Sequence, residues 1–139
     1  MHPTLLLSLN SRSTAGVLLL TLVAVEYGGI FMLRVTRGQV PMTDFQRSFA
    51  RAGHAHAGVL VILALVGLIL ADATTLSGPL AVLAHNGIWI AAILMPAGFF
   101  FSSAGRNVTK PNPFIALLYL GIATLTLGVV SLGIGLLTA

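Results

Sequence analysis

Four apolar runs, at residues 13–33, 53–71, 78–101 and 113–137, constrain this chain more than any other feature. A helix crossing ~30 Å of hydrocarbon needs ~20 residues, and each run is about that long. Barrel strands would be ~10 residues of alternating polarity, and these runs do not alternate. Little of the 139-residue chain is left over for a soluble domain, and only 7% of its residues are charged. Soluble domains carry about 25%, and disordered chains are polar and charged, so both classes are excluded. The expectation is an all-α integral membrane protein, one domain over residues 1–139, folded as an antiparallel bundle of four transmembrane helices.

Local signals set the ends of those helices. Ser11 or Ser13 can cap the first. Thr43, with Gln46 three residues on, has capping-box spacing and starts the second near Asp44, giving it residues 44–71. Its first turns, DFQRSFA, are expected at the membrane surface. Ser77-Gly78-Pro79 opens the third helix, and Asn112-Pro113 the fourth. The link DATTLS is short enough to make helices two and three antiparallel neighbours. Arg12 ahead of an apolar run resembles the start of a signal peptide. The run leads into Val-Glu-Tyr-Gly-Gly without a small-residue cleavage site, so a retained helix is expected.

Basic residues set the orientation. Arg34, Arg37, Arg47 and Arg51 lie in or beside the loop between helices one and two. Arg106 and Lys110 lie between helices three and four, and only Arg12 lies on the opposite side. Both termini are therefore expected on the non-cytoplasmic side, in the plasma (inner) membrane. The net charge of +4 is an orientation and headgroup signal. It does not point to nucleic acid, because no soluble basic face is available. Asn107-Val108-Thr109 matches a glycosylation sequon but falls on the cytoplasmic side of this topology.

Helix four carries Gly121, Thr124, Gly128, Ser131 and Gly135 as one stripe of small residues, and helix two carries Gly53, Ala57, Leu60, Ala64, Gly67 and Ala71. Small stripes let helices approach closely in lipid. They serve packing within the bundle or a homo-oligomer interface.

A few polar residues interrupt the apolar runs. Glu26 lies well inside helix one, where a charged side chain costs about 2.5–3.5 kcal/mol on insertion scales. His54 and His56 lie at the start of helix two, about 200° apart around a regular helix, so they cannot grip one metal together unless the start is bent or unwound. His54 lines up with Arg47 and Arg51 and is expected at the interface. His56 lies within about 60° of the small stripe and is expected to be the interior ligand. His85 and Asn86, near the outer end of helix three, form a second polar site. At ~1.5 Å per residue, His56 and His85 are separated by roughly 15 Å along the membrane normal, too far to share one haem. Met95, beside Pro96, is at about the depth of His56 and could be a second axial ligand. Tyr27 and Trp89 are expected to pack or to sit at the interface.

There is no cysteine, which excludes thiolate sites, iron–sulfur clusters and cysteine catalysis. No glycine-rich phosphate loop, nucleophile elbow or carboxylate pair is present. The three acidic residues Glu26, Asp44 and Asp72 are too few for a hard-cation cage from one chain.

The segment Gly53-His54-Ala55-His56-Ala57-Gly58-Val59-Leu60 resembles the haem-bearing second helix of haem–copper oxidase subunit I. The order of parts along the chain also resembles a group of small four-helix bacterial membrane proteins of unknown function. It has Glu26-Tyr27-Gly28-Gly29-Ile30-Phe31 at the end of helix one, then a His-x-His helix, then His85-Asn86-Gly87. The resemblance implies an ancestral haem- or metal-bearing helix pair with His54 or His56 as ligand. The oxidase's copper-site histidine cluster is missing, so oxygen reduction is not implied. A weaker resemblance, through Arg47…Arg51-Ala52, is to the glutathione-using membrane enzymes of eicosanoid metabolism, whose Asn and Glu residues at this helix start are missing here.

The expected function is a polar pocket in the inner half of the bundle, lined by His56, Glu26 and Met95 with His54 at the rim. It would bind haem or a transition-metal ion through His54, His56 and Glu26, or relay protons. The alternatives are a cofactor-free subunit or assembly factor of a larger membrane complex, and a small oligomeric channel or transporter.

Overall fold

A computed structural model describes residues 7–139. It contains four helices, each long and apolar enough to cross a membrane: α1 (Leu9–Thr36), α2 (Asp44–Ala71), α3 (Gly78–Ser102) and α4 (Ile115–Leu137). They pack as a row, α1 on α2, α2 on α3 and α3 on α4, with α2 also touching α4. Successive helices are antiparallel. Gly28 meets His54, Gly53 meets Phe100, and Gly98 meets Leu118 at one end. Ser11 meets Asp72 at the other end, and Gly135 meets Leu76.

Local chemistry explains most of the helix ends. Thr43 and Gln46 form the capping box at the start of α2. Gln46 also donates from Nε2 to the carbonyls of Ser103 (3.0 Å) and Gly105 (2.9 Å), and the Thr43 hydroxyl donates to the Val108 carbonyl. The start of α2 is thereby tied to the loop after α3. Gln46→Ala removes a buried amide that satisfies two carbonyls, and is expected to lower stability by about 2–3 kcal/mol. Thermal unfolding in detergent measures this, and a loss below 0.5 kcal/mol, about the value of a bystander, would rule the tie out.

Two helix starts differ from the sequence expectation. α1 begins one turn early, at Leu9, because Ser8 accepts from the backbone N–H of Ser11 at 3.1 Å. Asn112 does cap the fourth segment, accepting from the Phe114 N–H at 2.9 Å. The chain then makes one tighter turn before regular α-helix begins at Ile115. α1 ends at Thr36, where Gly38 has φ +70° and its N–H reaches the Val35 carbonyl while the Gln39 N–H reaches that of Arg34. This is the left-handed cap that glycine adopts without strain.

The core is built from the small stripes. Leu60, Ala64, Leu68 and Ala71 of α2 pack with Ala84, Ile88, Ala91, Ala92 and Met95 of α3, and with Leu132 of α4. Small side chains let the backbones come close, so dispersion and short-range packing hold helices together where the hydrophobic effect does not. α1 contributes little to this core. Only 6% of its apolar stretch is buried, against 28 to 39% of the other three.

Candidate functional site

Because α1 leans chiefly on α2, a cavity of about 490 Å³ remains between α1, α2 and α3. On α1 its wall runs from Ser13 through Val17, Thr21 and Ala24 to Gly28, a rise of about 22 Å. Ala57 and Val61 of α2 and Trp89, Ala92, Ile93 and Phe100 of α3 complete it, with His54 at the end near Gly28. The lining is mostly apolar, and its polar side chains besides Trp89 are His54, Thr21 and, at the opposite end from His54, Ser13 and Thr14.

His54 reaches the cavity because α1 is glycine at the point of contact. A β-carbon on Gly28 would lie 3.0 Å from His54 Nδ1, and one on Gly29 would lie 3.7 Å from its Cε1 and Nε2. The Gly-Gly step of α1 and the first histidine of α2, two motifs separate in sequence, therefore form one contact.

The placement of the two histidines differs from the one expected. His54, expected at the interface, is on the cavity wall. His56, expected to be the interior ligand, is not among the wall residues. His56 Nδ1 donates to the Ala52 carbonyl at 2.7 Å on its own helix. Its ring lies 5.0 Å from that of Phe99, in a row of aromatics continued by Phe49 at 5.4 Å and Phe45 at 4.2 Å.

The other expected ligands are elsewhere. Glu26 is exposed on the flank of α1 and does not line the cavity. Met95 is buried between α3 and α4, its Cγ and backbone against Gly121. The inner-half pocket of His56, Glu26, Met95 and His54 is thus not assembled. Equal depth along a helix axis does not imply equal direction around it. Among the described residues, no three His, Cys, Asp or Glu side chains come together as a metal site. Among the described residues, His54 is the one imidazole on the cavity wall.

A second hollow, of about 500 Å³, opens at the other end and shares Ser13 and Thr14 with the first. Here His85 and Asn86 both line the hollow, but they do different things. Asn86 donates to the Val82 carbonyl at 2.8 Å and accepts from Trp89 Nε1 at 3.1 Å, which fixes that indole beside the cavity. His85 Nε2 lies 3.0 Å from Asp72 Oδ1, and its Nδ1 lies 2.9 Å from the Ala81 carbonyl.

Asp72 is the residue that sequence reasoning missed. It accepts from the Ser8 backbone N–H at 2.8 Å and the Ser11 hydroxyl at 3.0 Å, besides His85. One carboxylate just beyond the end of α2 therefore joins α1, α2 and α3. Burial pushes its carboxyl up, but the hydrogen bonds from Ser8, His85 and Ser11 outweigh burial and hold it below the usual value. The available signal was topological: the start of α1, the end of α2 and the start of α3 meet at one end of any antiparallel bundle.

No family model, curated protein or solved structure matches this chain.

Proposed function

We propose that the chain is a multi-pass plasma-membrane protein, with both termini on the non-cytoplasmic side, that holds one lipid-soluble, amphiphilic small molecule in the cavity between α1, α2 and α3. The observation that carries this reading is the cavity itself. Its volume falls in the range of about 300–1,000 Å³ usual for ligand sites, and its mostly apolar wall with few placed polar groups is what such sites share. His54 sets the polar end, one turn from Arg51 at the basic, cytoplasmic end of the bundle. The elongated shape favours a molecule with an apolar body along α1 and a polar head at the imidazole. A haem held through His54 alone is the coloured member of that ligand class.

The test is to purify the full chain in mild detergent, extract it with organic solvent and identify bound molecules by mass spectrometry, with a visible spectrum of the same sample. One amphiphile is expected at near-stoichiometric amounts. His54→Ala, which removes the polar contact, is expected to reduce occupancy about tenfold, a loss of ~1.4 kcal/mol. Gly28→Leu, which displaces the ring and fills the inner end, is expected to abolish binding. Preparations that carry only bulk lipid, with no difference between wild type and His54→Ala, would refute this reading in favour of a cofactor-free subunit.

A further inference from the structure

The flank of α1 that faces away from the cavity carries a complete helix-pairing seam with nothing packed on it. Gly16, Leu19, Val23, Glu26, Ile30 and Leu33 follow one another at alternating three- and four-residue steps, the repeat with which helices interlock side by side. All six are exposed; Leu19, Val23 and Ile30 are 54%, 52% and 58% exposed. The row lies about 130° around the helix from the more buried face that carries Leu18, Val25 and Met32. A second helix could dock there without disturbing either α2 or the cavity.

We propose that this row is the contact between two copies of the chain, related by a two-fold axis normal to the bilayer, with Glu26 of each copy hydrogen-bonded to Glu26 of the other. Two residues on the row point to an occupant. Glu26 lies at membrane depth, where ionisable side chains face protein or water and rarely lipid. A carboxyl that carries its proton is both donor and acceptor, so an identical carboxyl is its chemical complement. Gly16 is the second. Nothing lies within 4 Å of where its β-carbon would be, although glycine weakens a helix interior. On the same row as Glu26, its open face leaves room for another backbone to approach closely. Copies inserted in one membrane share an orientation, so two α1 helices pair in parallel. A two-fold axis then puts each residue of the row opposite itself, which is the register the Glu26 pair requires. The row reads the same from either copy, and no basic residue interrupts it between Gly16 and Leu33. This inference does not depend on the cavity's ligand.

The chain has no cysteine, so single cysteines report contacts without background. Leu19→Cys, Val23→Cys and Ile30→Cys, oxidised in native membranes, are expected to give disulfide-linked dimers at least tenfold faster than Ile62→Cys on α2 or Val130→Cys on α4, which are equally exposed. In detergent dilution followed by energy transfer between labelled copies, Glu26→Leu and Gly16→Leu are expected to weaken the dimer at least tenfold, and Glu26→Gln to retain it, because an amide pair still bonds to itself. The cross-linking needs no change at Glu26 or Gly16, so it stands even if those variants fold poorly. A chain that is monomeric at every protein-to-detergent ratio would overturn the proposal. So would cross-links at Ile62 or Val130 as fast as at Val23, or a different protein captured at Val23 in place of a second copy.

Discussion

Gly87→Leu is expected to prevent the fold from forming, and Gly87→Ala to lower its stability by about 3 kcal/mol, the upper part of the range for overpacked cores. The cause is the contact between α3 and α4. A β-carbon on Gly87 would lie 2.6 Å from both the Gly128 Cα and the Thr124 carbonyl oxygen. Both obstacles are backbone, so no side-chain rotation relieves the overlap and the helices must separate. Separation costs twice, because the dispersion contacts along the whole seam fall off steeply with distance. Gly98 is held in the same way against the Leu118 backbone, and Gly128 against Gly87. Gly133, on the same helix as Gly128, has nothing within 4 Å of its would-be β-carbon. Gly133→Ala is therefore expected to be neutral or to stabilise by up to about 1 kcal/mol through helix propensity alone. Thermal unfolding in one detergent compares the three variants. If Gly87→Ala unfolded together with the wild type, the close backbone approach of α3 and α4 would be wrong.

The contrast between Gly87 and Gly133 also shows what could be read from the sequence. The stripe of Gly121, Gly128 and Gly135 is visible as spacing, because three- and four-residue steps return to one helix face. The four helices are visible for a similar reason: length and apolarity are properties of each segment alone. The Thr43–Gln46 capping box is equally local. Legibility ends where a second element decides. Ser8 starts α1 and its backbone N–H is bound by Asp72, 64 residues away, so scanning the first segment alone favoured Ser11 or Ser13. Angular arithmetic placed His54 with Arg47 and Arg51 correctly on one face of α2, but could not say that α1 would cover part of that face. Rise per residue gave Glu26 a depth and no direction. The arrangement of the site is not legible where two helices must be oriented against each other, since sequence spacing orders residues on a helix without choosing its neighbours.

Asp72→Ala is expected to lower stability by about 2–3 kcal/mol and to free the start of α1 before the rest of the fold. Hydrogen bonds to a charged group contribute about 1.5–3 kcal/mol, and the Asp72 side chain, only 11% exposed, accepts three such contacts from Ser8, Ser11 and His85. Its weight is increased by how little else holds α1, which packs chiefly on α2. The loss is expected to be local first: faster amide exchange and faster proteolysis near Ser8 and Ser11, with α3 and α4 unaffected, as for a low-stability unit of a larger fold. Asp72→Asn is expected to be milder, since the amide oxygen still accepts from α1 while the carboxylate contact with His85 Nε2 is lost. The same group predicts a pH dependence whose sign follows from linkage. The folded carboxyl lies below the usual carboxylate value, so the native state favours the ionised form. Its contribution is fully present above that value and is lost as the pH falls through the lower, folded value. Wild type should therefore lose stability on acidification below about pH 4, and Asp72→Ala should show a smaller loss over the same range. Asp44, exposed at the start of α2 and only 3.7 Å from Arg47, does not bridge helices, and Asp44→Asn is the matched control. Equal acid sensitivity in wild type and Asp72→Ala would mean that α1 is held by something other than this carboxylate.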